Sequence, residues 1–149
     1  MGRDRNRELI EESPLERNEN RELVAEYPWL DTHSERYTAS EFTLLDLLPW
    51  GWRDLILDMC KEIKRELVKY DLVSKYQVAE AKEKWCMLSW YDGLDDLSPM
   101  PPAITDIVCK YEMQSKEVCM MCGRPKPKDK EICDRCMHVI DVWNDIGHR

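Results

Sequence analysis

Phenylalanine is almost missing from this chain: Phe42 stands alone among 149 residues, beside six Trp and six Tyr. Any core must therefore be filled by Leu, Ile, Met and indole rings. Five glycines, none clustered in a phosphate-cradling loop, leave no P-loop or dinucleotide-binding fingerprint. Of the three histidines, His33, His138 and His148, none stands in a His-Glu-x-x-His pair, and there is no nucleophile elbow. No catalytic residues are assigned, and the chain is read as a non-enzyme. No apolar run approaches the ~18 residues that a membrane span needs, and "MGRDRNRELIEE" lacks the apolar stretch of a secretory signal. Both features point to a cytoplasmic protein with no membrane partner.

What is abundant is charge. Charged residues make up 35% of the chain, yet 43% is hydrophobic, enough for a folded globule. The net charge of −8 is unevenly spread. Residues 110–149 carry 8 basic against 7 acidic side chains, which leaves 14 against 23 for residues 1–109, a balance of −9. A chain of this length fits one small domain.

Three stretches follow one another. Residues 1–40 open with "RELIEE" and "RELVAEY", a charged helical arm whose carboxylates and guanidiniums can pair along a helix surface, followed by a connector through Pro28 to about Ser40. Residues 41–114 form an α+β body. In it, Leu55/Ile56, Met59/Cys60, Ile63, Leu67 and Tyr70 recur at spacings of three and four, which predicts an amphipathic helix from about Trp52 to Tyr70. "QVAEAKEKWCMLSWY", residues 77–91, is divided: its first half has high helix propensity, whereas Val78, Trp85, Trp90 and Tyr91 favour strand. After "DGLDDLSPMPP" breaks the chain, Ile104, Ile107, Val108 and Tyr111 predict a bridging helix.

Residues 115–149 carry the chemistry. "VCMMCGRPKPKDKEICDRC" holds two Cys-x-x-Cys pairs ten residues apart: Cys119 and Cys122, then Cys133 and Cys136. Each pair can set both sulfurs on one ion, and Gly123 permits the positive φ that turns backbone amides toward the thiolates. Four thiolates in tetrahedral array suit Zn²⁺, so a treble-clef-like four-cysteine finger is expected, its second pair at the head of a terminal helix. A redox dithiol would need only one pair. His138 is left out, because four cysteines already close the site. Cys60, Cys86 and Cys109 lack paired spacing and are read as small buried apolar groups.

Between the pairs, Arg124, Lys126, Lys128 and Lys130 alternate, so in an extended arm they would share one face and could meet phosphates. That makes nucleic-acid binding an alternative function. Against it, an acidic body behind the tip repels a polyanion. Trp50, Trp52, Trp85, Trp90 and Tyr91 are candidate partner-binding residues, since Trp and Tyr dominate binding hot spots, although core packing is the commoner use of such rings. An acidic, aromatic-rich, zinc-pinned chain reads best as a protein-binding module whose partner presents a basic surface.

The blocks "EYPWL", "WGWRDLILDMCKEI", "QVAEAKEKWCMLSWY" and "SKEVCMMCGRPKPKDKEICDRC" stand in the order shown by a family of small tailed-bacteriophage and prophage proteins, which the chain resembles over about residues 23–136. That family has a "GW..LI..lC..I" helix, a "QVKEKFGGLRFY" segment and a terminal cysteine motif. The resemblance implies a β-hairpin over residues 77–91, with Val78 to Ala81 in one arm and Leu88 to Tyr91 in the other. It also implies a phage accessory protein, placed in the host bacterial cytoplasm, and little else; taken with the acidic, zinc-pinned chain that lacks a catalytic signature, this leads to the expectation of stoichiometric protein binding, for instance inhibition of a host nucleic-acid-binding or defence protein. It supplies no catalytic residues. Where the family has Phe-Gly-Gly, this chain has Trp85-Cys86-Met87, so the turn has lost the glycines that would ease it.

Overall fold

The computed structural model describes residues 19–31 and 42–147. Of the helical arm expected over residues 3–26, residues 3–18 lie outside the described residues, as do residues 32–40 of the connector, His33 and His148. The class is α+β: among the described residues, helices with one two-stranded antiparallel sheet. The chain falls into two compact units, Met1–Leu47 and Leu48–Arg149.

In the first unit, helix α1 covers 19–26 and a 3-10 turn, Pro28–Leu30, follows it. Pro28 suits that turn because its fixed φ matches a first helical position. Tyr27, Trp29 and Leu30 are buried, the two rings 5.6 Å apart, as are Leu44 and Leu45 of the short helix α2, Leu44–Leu47. Asp46 organises the turn into α2: its Oδ2 accepts from the Thr43 N–H at 2.7 Å, while its Oδ1 accepts from the buried Asn20 Nδ2 at 2.9 Å. Arg21 pairs with Asp31 at 2.7 Å.

In the second unit, a 3-10 turn, Trp50–Trp52, leads into helix α3, Arg53–Tyr70. The expected stripe is the buried one: Ile56, Met59, Cys60, Ile63 and Leu67 face inward, while Tyr70 at the end is exposed. Asp71 stops the helix in the left-handed region at φ 54°, its N–H returning to the carbonyls of Leu67 and Val68. Helix α4, Pro102–Ser115, packs against α3 and buries Ile104, Val108 and Tyr111. Helix α5, Asp134–Gly147, closes the described chain.

Residues 77–91 are a hairpin, as the resemblance implied and helix propensity did not. Strand β1, Tyr76–Lys84, pairs antiparallel with β2, Met87–Leu94, with a bulge between Val78 and Glu80. Trp85 and Cys86 make the two-residue turn at φ 56° and 64°. Both take the left-handed conformation that a type I′ turn demands, without the glycine that usually supplies it. Propensity loses because Leu88 and Trp90 are needed in the core, and a strand delivers both to one face.

Candidate metal centre

The two Cys-x-x-Cys pairs converge. Their four Sγ atoms lie within 4.8 Å of one another, with Cys119 to Cys136 at 3.8 Å and Cys122 to Cys133 at 3.6 Å. A tetrahedral ion with metal–sulfur bonds of about 2.3 Å sets its sulfurs about 3.8 Å apart, whereas a disulfide needs about 2.05 Å. The cluster is therefore spaced as metal ligands. Each pair reaches the centre differently. Cys119 and Cys122 sit on a tight knuckle closed by the Gly123 N–H on the Cys119 carbonyl at 2.9 Å and the Cys119 N–H on the Arg124 carbonyl at 2.7 Å. Gly123 takes φ 80°, the positive value expected of it. Cys133 immediately precedes α5 and Cys136 lies in its first turn.

Backbone dipoles prepare the sulfurs. Burial pushes the Cys119 thiol up, but the N–H groups of Cys122, Cys133 and Met121 outweigh it and hold the thiol down at about 6. The Cys136 N–H lowers the Cys133 thiol in the same way. Cys136 is pushed up to about 12, by burial and by the sulfurs of Cys122, Cys133 and Cys119. Four crowded thiols cannot all ionise unaided, and a divalent cation is what lets the last of them give up its proton.

The knuckle is bolted to the start of α3. The Gly51 N–H donates to the Met120 carbonyl at 2.8 Å, and Trp52 Nε1 donates to the Val118 carbonyl at 3.1 Å. Gly51 is a glycine for a steric reason: a Cβ there would collide with the Cys119 carbonyl oxygen and stand 2.6 Å from Met120 C and 2.7 Å from Met120 O. In the sequence, Gly51 between Trp50 and Trp52 reads as an ordinary turn glycine, because its obstructing partners lie 68 and 69 residues away.

The expected basic face does not form. Lys126 is buried at 6% exposure, its ammonium donating to the Lys116 carbonyl and, at 3.2 Å, to the Pro127 carbonyl. Only short backbone bridging, Val118 with Pro125, joins the arms, so strict alternation ends and Lys126 turns inward while Arg124 and Lys128 stay exposed. Lys130 pairs with Asp134 at 2.8 Å. The aromatic set also divides. Trp52 and Trp90 are core residues at 0% and 4% exposure, so neither presents a contact surface; Trp50, Trp85 and Tyr91 are exposed. Among the cysteines outside the two Cys-x-x-Cys pairs, Cys60 is buried as expected, but Cys86 sits half-buried in the hairpin turn and Cys109 lies exposed on α4. His138 is exposed on α5 and no part of the cluster.

Beside the knuckle is an open cleft of about 360 Å³, walled by Cys122 and Gly123 on one side and by Trp50, Asp54, Asp58 and Gln114 on others. Arg53 lies over the Trp50 ring at 5.4 Å. Among the described residues, no helix is long and apolar enough to cross a membrane. No family model matches the chain, and no curated protein or solved structure matches it either.

Proposed function

We propose that the chain is a zinc-stapled protein-binding module, a phage-type accessory protein that acts stoichiometrically on a partner with a basic surface. The observation that carries this reading is the cleft beside the knuckle. There the exposed carboxylates of Asp54 and Asp58, one turn apart on α3, line a space large enough for a cationic side chain, beside Trp50, whose ring already carries the Arg53 guanidinium. The acidic balance of residues 1–109 would steer such a partner toward it. Cys119, Cys122, Cys133 and Cys136 would hold Zn²⁺ as a closed structural site, which fixes the wall of the cleft.

The nucleic-acid reading is weaker because its residues disperse. With Lys126 turned inward and Lys130 engaged by Asp134, Arg124 and Lys128 are left to meet phosphates. The test compares two interactions of the zinc-loaded chain. Affinity capture from a bacterial lysate should recover a partner that survives nuclease, associates more slowly as salt rises, and is lost with Asp54→Lys and Asp58→Lys. Titration with duplex DNA or RNA should give no saturable binding. Salt-dependent nucleic-acid affinity that falls with Arg124→Gln and Lys128→Gln would reverse the choice.

A further inference from the structure

The sheet has one sealed edge and one open edge. Along β2, the N–H of Leu88 donates to Ser115 Oγ at 2.8 Å and the N–H of Trp90 donates to Glu112 Oε2 at 2.8 Å. Both groups point away from β1, and α4 covers them. In an antiparallel ladder, directly opposed residues orient alike, so Glu83 and Ala81, the partners of Leu88 and Trp90, turn their own N–H and C=O groups outward from β1. That side of β1 is bare among the described residues: Ala79, Glu80, Lys82, Glu83 and Lys84 are exposed and Ala81 half-buried. A third strand therefore has one place to add.

The charges along that edge select the strand. Lone lysines guard an edge by repelling any copy of themselves, but here the signs alternate about Ala81, with Glu80 before it and Lys82 after it, 3.3 Å apart on one face. We propose that β1 pairs with β1 of a second copy of this chain, antiparallel about a two-fold axis at Ala81. An outward-facing residue must meet another outward-facing residue, and Ala81 opposite Ala81 satisfies this as a hydrogen-bonded pair. The flanking positions then place Glu80 opposite Lys82 of the second copy, and Lys82 opposite its Glu80, in the closer, non-hydrogen-bonded pairing where side chains interact most strongly. Moving the axis to Lys82 sets that lysine against itself; moving it to Glu83 sets Glu83 against itself and Lys82 against Lys84. Among registers centred on residues 80–84, the stretch of β1 beyond the bulge, the Ala81 register alone escapes like-charge opposition. Because α4 seals β2 in each copy, addition stops at a four-stranded sheet and the assembly closes as a dimer. The bulge beside Ala79 limits the paired run, so association is concentration-dependent.

Sedimentation of the full metal-loaded chain, from low micromolar to submillimolar, tests this. The wild type should pass from monomer to dimer. Lys82→Glu alone opposes two carboxylates twice and should weaken the dimer by about tenfold or more, as should Glu80→Lys. The double exchange Glu80→Lys with Lys82→Glu should restore it, and a mixture of the two single variants should form the heterodimer. Ala81→Pro removes an outward N–H that β2 does not use and should abolish the dimer, with hairpin circular dichroism and metal content unchanged. A wild type that stays monomeric throughout, as it would if the edge serves a foreign strand, overturns the proposal. So does a dimer indifferent to Lys82→Glu, or one that the double exchange fails to restore.

Discussion

A single absent methyl group governs how the metal knuckle meets the body. Gly51 brings its backbone against the Cys119–Met120 backbone, and Gly123 in turn brings its own against the Gly51 carbonyl, where a Cβ would stand 2.9 Å away. Backbone obstructs on both sides, so a flexible side chain cannot give way. Gly51→Ala should cost on the order of 3 kcal/mol, read as a lower midpoint in urea and as faster loss of metal to a chelator. Gly93→Ala is the matched control: nothing lies within 4 Å of its added Cβ, and its effect should stay within about 0.5 kcal/mol. Equal effects from the two substitutions would mean that the close approach at Gly51 contributes nothing.

At the scale of elements, α4 seals β2 with a hydroxyl and a carboxylate, and the carboxylate gives the seal a pH dependence. Burial raises the Glu112 pKa above its ordinary 4.5, although the Trp90 N–H that it accepts pulls the other way. Burial likewise raises Asp92, whose Oδ2 accepts from Tyr76 Oη at 2.5 Å. A carboxyl group with a raised folded pKa favours the fold while protonated. Its contribution is complete below the ordinary value, 4.5 for Glu112 and 3.8 for Asp92, and is lost as the pH rises through the folded value. Glu62 runs in the opposite direction: hydrogen bonds from Lys110 and Tyr111 lower its pKa, so its contribution is present above 4.5 and lost as the pH falls. Glu112→Gln keeps the acceptor for Trp90 and removes the titration. The variant should gain stability relative to wild type at pH 7, and the gain should vanish below about pH 4, as urea midpoints at the two values would show. A difference that does not change with pH would remove Glu112 from the account.

Across the whole second unit, the metal site is one end of a continuous path: cysteines to knuckle, knuckle to Gly51 and Trp52, and Trp52, fully buried, to the head of α3. Stripping the metal should therefore do more than free α5. It should lower the thermal midpoint of the body by several degrees and expose Trp52 to solvent, a red shift in tryptophan emission. Elemental analysis should give one zinc per chain. Cys122→Ser and Cys133→Ser should each release it, whereas Cys109→Ser, exposed on α4, should keep it. Full zinc content after both ligand substitutions would disprove the ligand assignment.

Local spacing determined what was legible in the sequence. The two Cys-x-x-Cys pairs and the buried stripe of α3 follow from intervals of three and four residues, which bonded geometry turns into neighbouring positions, and the positive φ at Gly123 follows from its missing Cβ. The hairpin needed more, because "AEAKEK" alone favours helix; the turn at Trp85 and Cys86 forms against local preference, and the burial of Leu88 and Trp90 decides the matter. Tertiary structure alone decided which tryptophans fill the core, why Lys126 satisfies carbonyls instead of meeting solvent, and which sheet edge is sealed. Ser115 lies 27 residues from Leu88, and Gly51 lies 69 from Met120. Contacts at that separation depend on how whole elements pack, and nothing in the order of neighbouring side chains records it.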